Sequence, residues 1–243
     1  MKLPKMILFD YGDTLLCEQN PDFLFAENKI FEYVKTNPKQ VTPRESCDFG
    51  EFIYHKFDEV RTLGSEIHEM QLMKLQYEML QLEFCISYEE LEIMKWNHIS
   101  PGACMPYVNE MLECLKRKGI RSGVISNIGW SGYALTERIN RLLPENEFEF
   151  IIASSEYGIR KPDPMIFQLA MEKAGLKKEE LWYCGNSIRA DVNGAINAGI
   201  FPVFYEDLSM GNYWEKDNKG FQIEHEHLYV HNWREFIDVL EKL

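Results

Sequence analysis

A run of four apolar residues, Met6-Ile-Leu-Phe9, stops abruptly on a carboxylate, Asp10, and this constrains the chain more than any other feature. Such a run reads as a strand buried on both faces, as in a parallel sheet covered by helices. Gly12 follows at once, so the chain turns where the strand emerges. Ligands bind at the carboxyl edge of an open α/β sheet, and an acid there is a candidate for chemistry. Alone, Asp10 would serve equally well to end a strand or cap a turn. Three further polar stations raise the functional reading: Ser126-Asn127, Lys161, and Asn186 with Asp191, each after its own apolar run or loop.

Strand and crossover do not alternate immediately after Leu16. From about Asn20 to His98 the pattern is helical. Phe23, Leu24, Phe31 and Val34 share one helical stripe. Thr42-Pro43-Arg44-Glu45 and Ser87-Tyr-Glu-Glu90 both read as capping boxes, the first with proline at the first helical position. Gly64 interrupts the helix begun at Thr42. The spacing predicts four helices with short joints, a bundle occupying residues 19–100. Its methionines and aromatics are read as core. From Gly102 onward strand and helix alternate, with strands expected at Ile120–Ile125, Phe148–Ala153, Leu181–Cys184 and Phe201–Tyr205. Helices are expected between them, one running from Asp191 to Ala198, and a terminal helix over Trp233–Leu243. The fold class is therefore α/β: a doubly wound parallel-sheet core from residues 1–18 and 101–243, with a helical bundle inserted as a cap domain. Between Asp207 and Trp233 no period is visible.

Composition narrows the partners. Hydrophobic residues make up 45% of the 243, enough for a sizeable core. A net charge of −13 argues against nucleic acid or an anionic membrane as a general partner. It leaves room for an anionic small molecule in a locally positive pocket. The six cysteines form no Cys-x-x-Cys pair and read as core residues of a reducing compartment. With the first strand starting so near Met1, no signal peptide is expected, and the cytoplasm is the expected location. His225, His227 and His231 lie in an irregular polar tail and read as surface residues. Nothing in the sequence indicates an oligomeric state.

The four stations, taken together and in order, resemble the motifs of the haloacid dehalogenase superfamily, whose members are mostly phosphatases. Phe-Asp10-x-x-x-Thr14-Leu is similar to the first motif and Val-Ile-Ser126-Asn127 to the second. Gly-Ile-Arg-Lys161-Pro-Asp-Pro is similar to the third. Gly185-Asn-Ser-x-x-x-Asp191-Val-x-Gly-Ala-x-x-Ala-Gly199 is similar to the fourth. The resemblance implies a phosphatase that acts on a small phosphorylated metabolite through an aspartyl-phosphate intermediate. In that scheme Asp10 is nucleophile and metal ligand, and Lys161 holds Asp10 and phosphate together. Ser126 and Asn127 bind substrate. Mg²⁺ sits on Asp10, the Gly12 carbonyl, Asn186 and Asp191. Oxygen-only ligands suit that ion.

Two departures stand out. The superfamily's phosphatases read Asp-x-Asp-Gly-Thr, the second aspartate serving as general acid and base. Here the order is Asp10-Tyr-Gly12-Asp13-Thr14, so that position has no side chain and Asp13 is the candidate replacement. Loss of such a group typically costs ~10²–10⁴-fold in rate, which implies a slow enzyme or one selective for good leaving groups. The fourth motif usually opens Gly-Asp, and here it opens Gly185-Asn186, one negative charge short. Asp13 is a candidate source of the missing charge. The alternatives are a non-catalytic phosphate-binding or regulatory protein and a 2-haloacid dehalogenase-type hydrolase. The second is disfavoured because in that group glycine directly precedes the threonine, where Asp13 stands here.

Overall fold

The computed structural model describes residues 2–207, 209 and 218–243. The strands, in chain order, are β1 (Met6–Phe9), β2 (Leu16–Cys17), β3 (Val34–Thr36), β4 (Glu83–Phe84), β5 (Ala103–Cys104), β6 (Arg121–Ser126), β7 (Phe148–Ala153), β8 (Leu181–Gly185), β9 (Phe201–Tyr205) and β10 (Leu228–Val230). Six of them form one sheet in the order β10-β9-β8-β1-β6-β7. Every pairing within it is parallel. The order reverses at β1: the chain first builds outward through β6 and β7, then crosses to β8, β9 and β10 on the other side. A crevice opens at such a reversal, and Asp10 is the first residue beyond β1.

All four residues of β1 are fully buried, and they alternate between two cores. Ile7 and Phe9 pack with Val124, Trp182, Trp233 and Phe236 on one face. Met6 and Leu8 pack with Ile125, Ile166, Phe167 and Tyr183 on the other. Helices cover both faces, which is why this strand reads as an unbroken apolar run. The expected core strands lie within a residue or two of their predicted ends. The strand β10, paired with β9 at the sheet edge, was not predicted, because three residues flanked by polar chain carry too little pattern.

The insert departs from the four-helix expectation. It carries helices at Phe23–Phe31, Pro43–His55, Asp58–Thr62, Glu69–Leu80 and Tyr88–Ile99, together with an antiparallel pair, β3 with β4. Val34 lies in β3 opposite Phe84 and not on a helical stripe, and Phe23 is 57% exposed. The cause is local: the helix ends at Phe31, Val34 and Thr36 are β-branched, and Pro38 disfavours helix at Asn37. Both capping boxes are present, with Thr42 Oγ1 accepting from the Glu45 N–H and Ser87 Oγ from the Glu90 N–H. The insert has a small core of its own: Ile30, Met73, Tyr77, Leu82 and Leu91. Among the described residues no helix is long and apolar enough to cross a membrane.

Candidate active site

The loop after β7 returns Lys161 to the tip of β1. Its ammonium donates to Asp10 Oδ1 at 2.6 Å, to Asp191 Oδ1 at 2.6 Å and to the Tyr183 hydroxyl at 2.7 Å. Lys161 is 3% exposed, and Asp10 and Asp191 are buried beside it. The Tyr183 hydroxyl turns its own proton towards Asp191 Oδ1 and the Ile125 carbonyl, both 3.1 Å away. Residues 10, 161, 183 and 191 come from three separate parts of the fold. They meet at the crevice.

Asn127, expected to bind substrate, is bonded here to the main chain of Lys161. Its side-chain amide donates to the Lys161 carbonyl at 2.8 Å and its Oδ1 accepts the Lys161 N–H at 2.7 Å. This two-point clamp on the main chain fixes where the lysine stem begins. Ser126 ends β6 beside β1, buried, one strand away from Asp10. Asp191 is brought in by a wide π turn at Ile188–Val192, and the short regular helix follows only at Asn193–Ala198, later than expected. π turns often occur at functional sites. Its Oδ2 accepts the Ser187 N–H, so Asp191 reaches the site as the second partner of Lys161. Gly185 makes the approach possible: a Cβ there would lie 2.4 Å from the Asp191 carboxyl carbon.

Gly12 and Asp13 form the turn beyond Asp10. Asp13 takes a left-handed backbone, φ 52°, and donates its N–H to the Leu16 carbonyl. It lines a small cavity with Asn186, Glu206, Asp207 and Asn218. The chain thus brings Asp13 and Asn186, the two departures from the usual motifs, to one place. Asn218 holds that place together: its amide donates to the Asn186 carbonyl and its Oδ1 accepts the Ile188 N–H.

The electrostatics follow from burial. Desolvation drives the Asp10 pKa up to about 7. Lys161 and the Tyr11 main-chain N–H oppose the rise, and Asp191 adds to it. Burial pulls Lys161 down, but Asp10 and Asp191 outweigh it and hold the ammonium above its ordinary value. When both carboxylates are ionised they share one cation, and the cluster is then one positive charge short.

The profile of the haloacid dehalogenase-like hydrolase family matches residues 7–204. This chain belongs to that family. Among curated relatives, the glyceraldehyde 3-phosphate phosphatase of Pyrococcus furiosus is 26% identical over 229 residues, covering 89% of this chain and 85% of the relative. The protein of the same name from Methanopyrus kandleri is 31% identical over 145 residues, and there the match spans only 57% of each chain. Among solved structures, a haloacid dehalogenase-family phosphatase from Thermococcus onnurineus aligns over 97% of both chains, with a TM-score of 0.62 at 20% identity. A 2-haloacid dehalogenase from Pseudomonas syringae has the same TM-score and identity. At that identity these structures speak for the fold alone.

The fold brings Asp10, Lys161 and Asp191 of the expected set into contact, and it adds Tyr183 and Asn218, which the sequence does not single out. Tyr183 sits within an apolar strand, where a buried tyrosine reads as core. The available signal was a hydroxyl, which needs a partner when buried. Asn218 lies 32 residues beyond Asn186 in a segment without period, and nothing in the sequence pointed to it.

Proposed function

We propose that this hydrolase is a Mg²⁺-dependent phosphatase acting on a small phosphorylated metabolite through an aspartyl-phosphate on Asp10. The observation that carries the reading is the buried Asp10–Lys161–Asp191 contact at the reversal point of the sheet. The names of the curated relatives support a small phosphorylated substrate. The free cysteines support a reducing, cytoplasmic setting.

The Asp10 carboxylate attacks phosphorus, the ester P–O bond breaks and the alkoxide leaves, taking its proton from solvent. Water then attacks phosphorus of the acyl phosphate, gives its proton to solvent, and phosphate leaves with Asp10 restored as a carboxylate. Lys161 lowers the repulsion between the carboxylate and the phosphoryl dianion. Ser126 donates to a phosphoryl oxygen. Asn127 holds Lys161 in register through its main chain.

The donor chemistry suits Mg²⁺: every candidate ligand is an oxygen, and the cluster with both carboxylates ionised lacks one positive charge. Asp10, the Gly12 carbonyl and Asn186 would hold the ion. Asp13, facing Asn186 across the same cavity, supplies the charge that the amide lacks. Asp191, already bonded to Lys161, Tyr183 and Ser187, completes the set from the lysine side. A bound Mg²⁺ offsets charge on the transferring phosphoryl group. With no side chain at Gly12, the leaving group departs with less protonation, so aryl phosphates are turned over faster than alkyl ones.

A metal-dependent screen over phosphate monoesters tests the reading. Asp10→Asn is expected to reduce aryl-phosphate turnover to background. Equal activity in that variant, or chloride release from a 2-haloacid without added metal, would overturn the proposal.

A further inference from the structure

Both chain crossings between core and insert pass through one buried polar knot, and the residue after the nucleophile is part of it. Arg138, from the Gly132–Leu142 helix of the core, is 2% exposed. Its Nε donates to the Tyr11 hydroxyl at 2.9 Å. One terminal nitrogen donates to Asn97 Oδ1 at 3.1 Å and the other to the Ser100 carbonyl at 2.6 Å. Asn97 and Ser100 belong to the end of the insert's last helix and its cap. The guanidinium lies 4.3 Å from the centre of the Trp96 ring. Trp96 Nε1 in turn donates to Glu18 at 2.6 Å, on the strand-to-insert connection, and Tyr11 reaches the same oxygen at 3.4 Å.

Tyr11 also faces the chemistry. It directly follows Asp10, and its carbonyl accepts the Leu15 and Leu16 N–H groups at 3.0 and 3.1 Å, so its main chain belongs to the turn that carries the nucleophile. Burial pushes its phenol well above the ordinary range, so the hydroxyl stays protonated and both accepts from Arg138 and donates to Glu18. One residue therefore has its main chain in the turn next to the nucleophile and its side chain on the insert's anchor.

We propose that Arg138 is a positioning residue: by gripping Asn97, Ser100 and the Tyr11 hydroxyl together, it makes seating of the insert and orientation of the Asp10 carboxylate a single linked event. The inference rests on the proposed role of Asp10 but concerns how that group is held. A planar guanidinium supplies the fork of donors that three separate acceptors need, which an ammonium does not. Misplacing a nucleophile by a fraction of an ångström is enough to cost rate.

Tyr11→Phe is the decisive variant because it removes one oxygen atom and keeps the ring. Three quantities are read: kcat and KM with an aryl phosphate, the near-ultraviolet circular dichroism of the Trp96–Trp130 pair, and the ¹³C resonance of the Asp10 carboxyl. The two indoles stack across the insert–core boundary, with centroids 5.1 Å apart and planes 10° off parallel. A Trp130→Phe reference isolates their signal. The linkage predicts that kcat falls about tenfold with KM nearly unchanged, that the indole signal weakens, and that the carboxyl resonance moves. Arg138→Lys is expected to behave like Tyr11→Phe. A changed indole signal with an unmoved Asp10 resonance overturns the linkage, as does a moved resonance with an intact indole signal, or no change in either. If the wild-type chain hydrolyses no phosphate ester, the proposed activity fails separately, and the two spectra still decide the linkage.

Discussion

At the scale of single residues, the site is a problem in burying charge. Lys161 sits between Asp10 and Asp191, and neither carboxylate would be tolerated there without it. Lys161→Met leaves two buried acids with no cation, which is expected to lower stability by about 3–5 kcal/mol and to abolish turnover. Denaturant unfolding at neutral pH checks the first and the aryl-phosphate assay the second. Gly185→Ala tests the same packing from behind. Its Cβ would stand 2.4 Å from the Asp191 carboxyl carbon, so Asp191 or the strand must move. An overpacking cost of about 1–3 kcal/mol is expected, with a fall in kcat as Asp191 leaves Lys161. What the sequence made legible at this scale is telling. Asp10 closes an apolar run, an interruption visible in one dimension, whereas Lys161 and Asp191 lie in loops and were legible through the resemblance of their loop motifs. The Asn127 clamp was not visible, because a side chain that bonds a distant main chain leaves no mark of its own on spacing.

At the scale of elements, the local signals that proved reliable were those that satisfy the backbone within a few residues. Both capping boxes are such signals, whereas the Val34 stripe relied on a period that Pro38 and the β-branched neighbours overrode. The Ser87 box starts the Tyr88–Ile99 helix, which carries Lys95, Trp96 and Asn97, so its loss should reach beyond the helix end. Ser87→Ala is expected to cost about 1 kcal/mol, read as a lowered Tm. The pH dependence has a definite sign. Hydrogen bonds from the Ser87 main chain and side chain hold the Glu90 carboxyl below its ordinary value. A carboxylate depressed in the folded state stabilises above its unfolded pKa, and that contribution is lost as pH falls through the folded one. Glu90→Gln should therefore lose less stability on acidification below about pH 4.5 than the wild-type chain does. Parallel unfolding curves with the same midpoint at pH 3 and pH 6 for both proteins would contradict this.

At the scale of the whole molecule, the insert joins its own apolar cluster to a buried polar network. Its five-residue cluster encloses a buried charge pair, Glu27 with Lys95, 3.5 Å apart. Glu27 also accepts from Ser46 at 2.6 Å, Gln76 at 3.3 Å and Tyr77 at 3.2 Å, and Lys95 donates to Gln76 and Tyr77. A saturated network of this kind ties helices from four places in the insert to one geometry, at the expense of desolvating two charges. The insert then meets the core through further buried polar contacts. Glu92 accepts from the Ser131 N–H and hydroxyl, and Glu66 accepts from Ser154 and lies 3.6 Å from Arg160. Lys95→Met strands Glu27 and is expected to destabilise by about 3–5 kcal/mol, whereas Glu27→Leu with Lys95→Met recovers most of that loss, because neither charge then remains buried. A double-mutant cycle in denaturant measures the difference directly. If the pair serves only stability, the double variant keeps the wild-type near-ultraviolet spectrum and kcat. If it holds the insert in the one shape that fits Arg138 and Ser131, stability returns but the Trp96–Trp130 signal and the turnover do not. The second outcome is expected here, since the network shares the Tyr88–Ile99 helix with Glu92 and Asn97, which meet the core at Ser131 and Arg138.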